Sequence, residues 1–170
     1  MSTGGLRFKS YVFEPVVIGT QTWAKTNYDF GGAYPNGDAD NVSAYGKLYT
    51  WDEAMAINYP GWHLPTSDEW NTLRTYLGGY LIAGGKMKEA GLVHWSSPNT
   101  SADNSSGFTA VGAGVNGGFF NLYAEFWTAQ EVTPGGPNAY TLFLSYNTAA
   151  ASYHSYVKTV TASVRLIKDS

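Results

Sequence analysis

Cysteine is absent from the 170 residues, so the chain can form no disulfide, has no thiolate nucleophile and offers no sulfur ligand to a metal. Charge is scarce too: Asp, Glu, Lys and Arg make up 14% of the chain, against roughly 25% in an average globular protein. The net charge of −3 argues against a surface built to neutralise phosphates, so nucleic acid is not an expected partner. No Lys or Arg lies between Lys88 and Lys158. Long apolar runs are missing as well; none approaches the roughly 18 residues that span a bilayer, so no membrane insertion is expected. Met1-Ser2-Thr3-Gly4-Gly5 does not read as a signal peptide.

What the chain has instead is 20 Gly, 16% aromatic residues and a polarity supplied by Ser, Thr, Asn and Tyr. Surfaces that bind through Tyr, Ser, Gly and Asn have this composition, because a Tyr ring gives contact area at little rotamer cost while small polar neighbours adapt their hydrogen bonds. The length suits one domain, spanning 16–170, with 1–15 an N-terminal extension or first strand.

Local signals suggest an α+β fold. Val16-Val17-Ile18-Gly19-Thr20-Gln21-Thr22-Trp23 reads as strand, turn and strand. Residues 29–45, rich in Gly, Asn, Asp and Tyr, show no period and read as a surface loop. Thr50-Trp51-Asp52-Glu53 and Thr66-Ser67-Asp68-Glu69 are both capping boxes. The first opens a helix over 51–58. The second opens a longer one with Trp70, Leu73 and Leu77 on one face, which Gly78-Gly79 stops. The adjacent Gly84 and Gly85 leave 83–91 as a short helical turn at best, since each costs about 1 kcal/mol relative to Ala. Strands are expected near 126–128, 139–146, 151–157 and 162–167, which implies an antiparallel sheet late in the chain.

Val17-Ile18-Gly19-Thr20-Gln21-Thr22-Trp23, Gly46-Lys47-Leu48-Tyr49-Thr50-Trp51, Gly61-Trp62-His63-Leu64-Pro65-Thr66-Ser67-Asp68-Glu69-Trp70, Gly84-Gly85-Lys86-Met87-Lys88-Glu89, His94-Trp95, Pro98-Asn99-Thr100, Ser106-Gly107-Phe108 and Ser163-Val164-Arg165 follow one another along the chain. In that order they resemble the Fibrobacter succinogenes major paralogous domain, from about Val16 to Asp169. The resemblance implies a C-type-lectin-like fold of the formylglycine-generating-enzyme branch, with two short helices packed on a twisted antiparallel sheet. That branch includes the variable proteins of diversity-generating retroelements, whose C-terminal sheet displays a ligand-binding surface. Members usually carry a Cys before the Gly-Trp-His motif and another after Ser-Val-Arg, where this chain has Asn58-Tyr59-Pro60 and Leu166. Loss of both halves of that implied bridge favours a reducing compartment or a phage virion, with the bacterial cytoplasm or surface as expected locations.

Catalysis is not expected. No Gly-x-Ser-x-Gly elbow occurs, and the related formylglycine-generating enzymes work through cysteines absent here. Glu14-Pro15-Val16 and Trp51-Asp52-Glu53 match neither calcium motif of sugar-binding C-type lectins, so neither metal nor cofactor is expected. The loops holding Asp38, Asp40 and Asn41, or Asp103 and Asn104, read as solvated turns or as oxygen ligands for a structural cation. His63 and His94 read as structural. His154 reads as exposed. The six tryptophans lie in or beside the shared motifs and read as core.

Within 139–147 a period of two sets Tyr140, Leu142, Leu144 and Tyr146 on one face, and Thr141, Phe143, Ser145 and Asn147 on the other. The second set lacks the leucines and is the expected solvent face. A ligand-binding surface is therefore expected on Thr141, Phe143, Ser145 and Asn147, with Tyr153, His154, Ser155 and Tyr156 from the next strand. Asn116, Phe120 and Tyr123 join it from the preceding loop. The expected partner is a protein or glycan on a cell surface; the alternative is a structural or surface-decoration domain packing against neighbouring subunits.

Overall fold

A computed structural model describes residues 14–170. The strand–turn–strand signal at the start becomes a hairpin of β1 (Pro15–Ile18) and β2 (Gln21–Ala24), turned at Gly19 with a positive φ of 63°. Residues 29–45 are less irregular than expected. Two 3-10 turns lead into α1 (Val42–Tyr45), whose Tyr45 is buried with its hydroxyl donating to Asn121 Oδ1 at 2.6 Å. The loop reading failed here because Tyr45 is held by a partner far along the chain, which no local period reveals.

After β3 (Leu48–Tyr49), both capping boxes form as expected. Thr50 and Glu53 open α2 (Trp51–Met55), and beyond β4 (Trp62–His63) Thr66 and Glu69 open α3 (Ser67–Tyr76). In each, the Thr hydroxyl accepts from the Glu backbone N–H while the Glu carboxylate accepts from the Thr backbone N–H. Helix α2 ends sooner than the expected residue 58. In α3, Trp70, Leu73 and the C-cap Leu77 are buried, and Gly78 and Gly79 stop the helix with φ of 103° and 97°.

The next element corrects the propensity argument. A true helix, α4 (Tyr80–Met87), runs through Gly84 and Gly85. A Cβ on Gly84 would collide with the carbonyl of Ala150, and one on Gly85 would come within 2.5 Å of the Ser101 carbonyl. The glycines allow α4 to press against the backbone of the β6–β7 turn and of the loop at Ser101, and packing outweighs propensity.

The late strands are β5 (Tyr123–Glu131), longer than expected, β6 (Asn138–Ser145) and β7 (Ala151–Val157). The segment expected as a single strand over 162–167 is two strands, β8 (Ala162–Ser163) and β9 (Ile167–Lys168), which enter different sheets. One sheet has the order β1-β2-β9-β4 and the other β3-β8-β5-β6-β7, with only the β5–β8 pairing in the second parallel. The fold is α+β.

The main core lies between α3, α4 and the inner face of the larger sheet. Trp70 is its centre, with ring centroids 4.5 Å from Trp23 and 5.8 Å from both Phe108 and Phe126. A second cluster on the other side joins α2, β3 and Trp127. Leu166 is buried in it and Tyr59 packs against it, so apolar side chains meet where the resemblance implies a disulfide. Of the six tryptophans, Trp62 is half-buried and the others are core.

Trp70→Ala should cost about 3–5 kcal/mol, read as loss of a cooperative thermal transition or a large fall in midpoint. Gly84→Ala reverses the usual sign: helix propensity alone would stabilise by about 1 kcal/mol, whereas displacing the Ala150 backbone makes the variant less stable than the parent. A chemical denaturation series on both variants checks these outcomes.

Candidate functional site

Cross-strand pairing decides which side chains share a face. Glu125 stands opposite Phe143, which stands opposite Ser152; Trp127 stands opposite Thr141, which stands opposite His154. One face of the larger sheet thus carries Tyr123, Glu125 and Trp127 from β5, with Ala139, Thr141, Phe143 and Ser145 from β6 and Ser152, His154 and Tyr156 from β7. Trp51 and Tyr49 cover the Trp127 end, their contacts fixed by hydrogen bonds from Trp51 Nε1 to Thr128 O and from Trp127 Nε1 to Tyr49 O. Toward Tyr123 and Phe143 no helix among the described residues covers the face.

At that uncovered end a carboxylate is buried beneath rings. Glu125 has no solvent exposure, yet both its oxygens are satisfied. Thr141 Oγ1 donates to Oε2 at 2.6 Å, Tyr156 Oη donates to Oε1 at 2.9 Å, and His154 Nδ1 lies 3.0 Å from Oε1. A buried charge this fully bonded holds its donors in place rather than leaving an orphan group. Above it, the His154 ring stacks on Phe143 with centroids 3.9 Å apart and planes 20° apart. Phe143 meets Tyr123 edge-on at 5.1 Å, and Tyr123 stacks on Phe119 at 4.9 Å. The result is a continuous ridge of rings, Phe119, Tyr123, Phe143 and His154, pinned from below by one acid.

The hydrogen bond to Glu125 raises the His154 pKa above the ordinary imidazole value; partial burial opposes this, and the Glu125 charge adds to the rise. The Tyr156 phenol is raised as well, by burial first and then by the Glu125 charge, so it stays neutral.

Several expected site residues lie elsewhere. Tyr153 and Ser155 are on the reverse face, because the period of two that brings His154 and Tyr156 to one side sends them to the other. The Tyr153 hydroxyl donates to Ser67 O at 2.8 Å, its ring sits under the Arg74 guanidinium, and burial raises its pKa to about 12. Thr141 and Ser145 face the expected way but are buried, Thr141 on Glu125 and Ser145 donating to Asn147 Oδ1. Asn147 is exposed just beyond β6. Phe120 packs inward on Tyr45 with centroids 4.5 Å apart, while its neighbour Phe119 points out with a positive φ of 58°. Asn116 is exposed in a turn that donates its backbone N–H to Thr161 O. Phe143, His154, Tyr156 and Tyr123 are brought together as expected.

Glu125 was missed as a site residue. Its signal was present: it is the lone acid between Asp103 and Glu131, in the middle of an aromatic strand. Nothing in the sequence says that Thr141 and His154 reach it from the neighbouring strands.

The other polar candidates bond to groups of their own fold. His94 pairs with Glu89 and lies edge-on to Tyr45. His63 places Nδ1 2.7 Å from Asp169 and Nε2 2.9 Å from Glu69. Burial alone would lower its pKa, but the bonds to Asp169 and Glu69 raise it. Asp38 Oδ1 caps Asp40 N, and Asp103 Oδ1 caps Ser105 N, so both loops spend a carboxylate oxygen on their own turn. Among the described residues no three His, Asp or Glu side chains are grouped to hold a metal ion, and no helix is long and apolar enough to cross a membrane.

A family model described as Fibrobacter succinogenes major domain matches residues 16–168. No curated protein and no solved structure matches the chain.

An NMR titration of the His154 ring checks the Glu125 contact. The apparent pKa should exceed the ordinary value of about 6.5 and fall in Glu125→Gln. The sign for stability follows: with the native pKa raised, the pair's contribution is complete below about 6.5 and is lost as pH rises through the native value. An apparent pKa at or below the ordinary value would contradict the contact.

Proposed function

The chain belongs to the Fibrobacter succinogenes major domain family, and from that premise and the uncovered end of the larger sheet we propose that it is a non-enzymatic ligand-binding domain. The observation that carries this reading is the stacked pair of half-buried Phe143 and exposed His154 above a fully buried Glu125. A carboxylate taken wholly out of water costs several kcal/mol before its hydrogen bonds offset it, and here its bonds serve to orient a ring that the core does not need. Rings held in place before a partner arrives lose little conformational freedom on binding, which is what an aromatic anchor requires.

The resemblance extends this reading in two ways. A C-type-lectin-like scaffold is supported by the hairpin β1–β2 joined to the C-terminal β9, with two helices packed on the long strands β5 to β7. Display of β6 and β7 side chains on an uncovered face is what a retroelement-diversified receptor-binding protein of a phage or bacterium would use, with a protein or glycan on a cell surface as its target. A second reading, a decoration domain that packs on neighbouring subunits, draws on the exposed run Tyr80, Leu81 and Ile82 at the start of α4.

Binding to immobilised glycan and cell-surface-protein panels, with wild type beside Phe143→Ala and His154→Ala, tests the proposal. Each variant should lose about 30-fold or more in affinity, the worth of an aromatic anchor of about 2 kcal/mol; Phe143→Ala should change the thermal midpoint little, whereas His154→Ala also removes a partner of Glu125 and lowers it. Tyr153→Ala should behave oppositely, losing stability through its Ser67 and Arg74 contacts. Ligands bound equally by wild type, Phe143→Ala and His154→Ala would overturn the assignment of the face.

A further inference from the structure

His63 and His154 form an instructive pair. His63 lies between two carboxylates, Asp169 on Nδ1 and Glu69 on Nε2, at 2.7 and 2.9 Å. Only a doubly protonated ring donates to both. His154 has the first half of that arrangement: Nδ1 rests on Glu125 at 3.0 Å, while Nε2 has no hydrogen-bond partner among the described residues and the side chain is 41% exposed. The ring cannot turn over to exchange its edges without giving up the contact of Nδ1 with the carboxylate beneath it.

We propose that the ligand of this face carries a carboxylate that docks on His154 Nε2, completing the arrangement already seen at His63, and that loss of the His154 proton releases it. The inference rests on reading the face as a ligand-binding surface. With Nδ1 committed to Glu125, a protonated ring presents an N–H at Nε2, and a neutral ring presents a lone pair there instead. The same atom therefore turns from donor to acceptor. At the same step the Glu125–His154 pair changes from neutral to net negative, so an incoming carboxylate loses its hydrogen bond and meets repulsion.

The groups around His154 support one acid and no more. From β5 come Glu125, with both oxygens engaged, and Tyr123. From β6 come Thr141, Phe143 and Ser145, which do not titrate. From β7 itself comes Tyr156, a donor to Glu125 held neutral by its raised pKa. Helix α4 packs behind β7, where Gly84 and Gly85 approach the turn before it, and its Lys86 lies on that side. From α3, also behind the sheet, Arg74 is engaged with Ala151 O and the Tyr153 ring. Glu131, farther along β5, is bound by Lys158 and by the backbone N–H of Gly135. The Phe143 ring stacked on His154, with Tyr123 edge-on to Phe143 beyond it, suits a ligand whose carboxylate is attached to a flat or apolar body. With the His154 pKa raised above the ordinary imidazole value, the release moves to higher pH than a free imidazole would give.

Benzoate and benzyl alcohol are the probes, one with a carboxylate on a ring and one with a hydroxyl in its place. Chemical shifts of His154 and Phe143 are followed during titration of each at about pH 6 and about pH 8.5, on either side of the imidazole range. Benzoate should perturb both residues and bind about tenfold more tightly at the lower pH, a difference of about 1.4 kcal/mol. Benzyl alcohol should show no such dependence. His154→Phe keeps a flat ring over Phe143 but has no N–H, and should abolish the preference for benzoate. Glu125→Gln should move the midpoint of the pH dependence down with the His154 titration, which keeps the test open if His154→Phe folds poorly. Equal benzoate binding at both pH values, equal binding of the two probes, or no perturbation of His154 at tens of millimolar benzoate would overturn the inference. If the panels yield uncharged ligands that need Phe143 and bind alike at both pH values, the binding face stands and the carboxylate does not.

Discussion

Arg165 stands in the three residues between β8 and β9, where the chain leaves the five-stranded sheet and enters the four-stranded one, and its guanidinium has no exposure to solvent. Nη1 donates to the carbonyls of Ala24, Lys25 and Phe108; Nε and Nη2 both donate to Asn27 Oδ1; the plane lies 4.2 Å over the Phe108 ring. No carboxylate pairs with it among the described residues. Backbone dipoles from the end of β2 and from the loop at Phe108 replace the lost water, so the charge holds only while all these segments are in place. The planar fork of donors is what lets one side chain join them.

Lys88 repeats the device on other segments. Its buried ammonium donates to the carbonyls of Thr100, Ser145 and Thr148, tying the end of α4 to the loop before Phe108 and to the β6–β7 turn. Burial lowers its pKa to about 8, so the group is still mainly charged at neutral pH. The two buried cations fix loops that have little regular structure of their own, which lets a Gly-rich chain present a rigid sheet without a disulfide.

Glu125 is the counterpart in the opposite sign. The cations hold backbone from within, whereas the buried carboxylate holds side chains of the display face: buried Thr141, half-buried Tyr156 and exposed His154. Scaffold and display face are thus built from one principle, a charge removed from water and surrounded by oriented dipoles or donors. They differ in direction. Every group around Arg165 points inward, while one edge of His154 points out, which makes it the place where chemistry with a partner can occur.

The sequence by itself determined what depends on neighbours a few residues away. Both capping boxes, the burial of Trp70, Leu73 and Leu77, the stop at Gly78-Gly79 and the split of β6 into two faces all follow from periods and local hydrogen bonds. The ordered motifs determined the family. Only the tertiary structure decided matters resting on contacts between distant residues. Gly84 and Gly85 read as helix breakers until the carbonyls of Ala150 and Ser101 are seen against them. Tyr153 and His154 are adjacent with the same prospects in sequence, but alternation sends one ring under Arg74 and the other onto Phe143. Thr141 and Ser145 occupy the expected face yet are buried, because a face is solvent-exposed only where no other element or side chain covers it. Glu125 could be seen as a lone acid among aromatics. Its role could not, since its donors lie 16 to 31 residues away and strand pairing alone brings them to it.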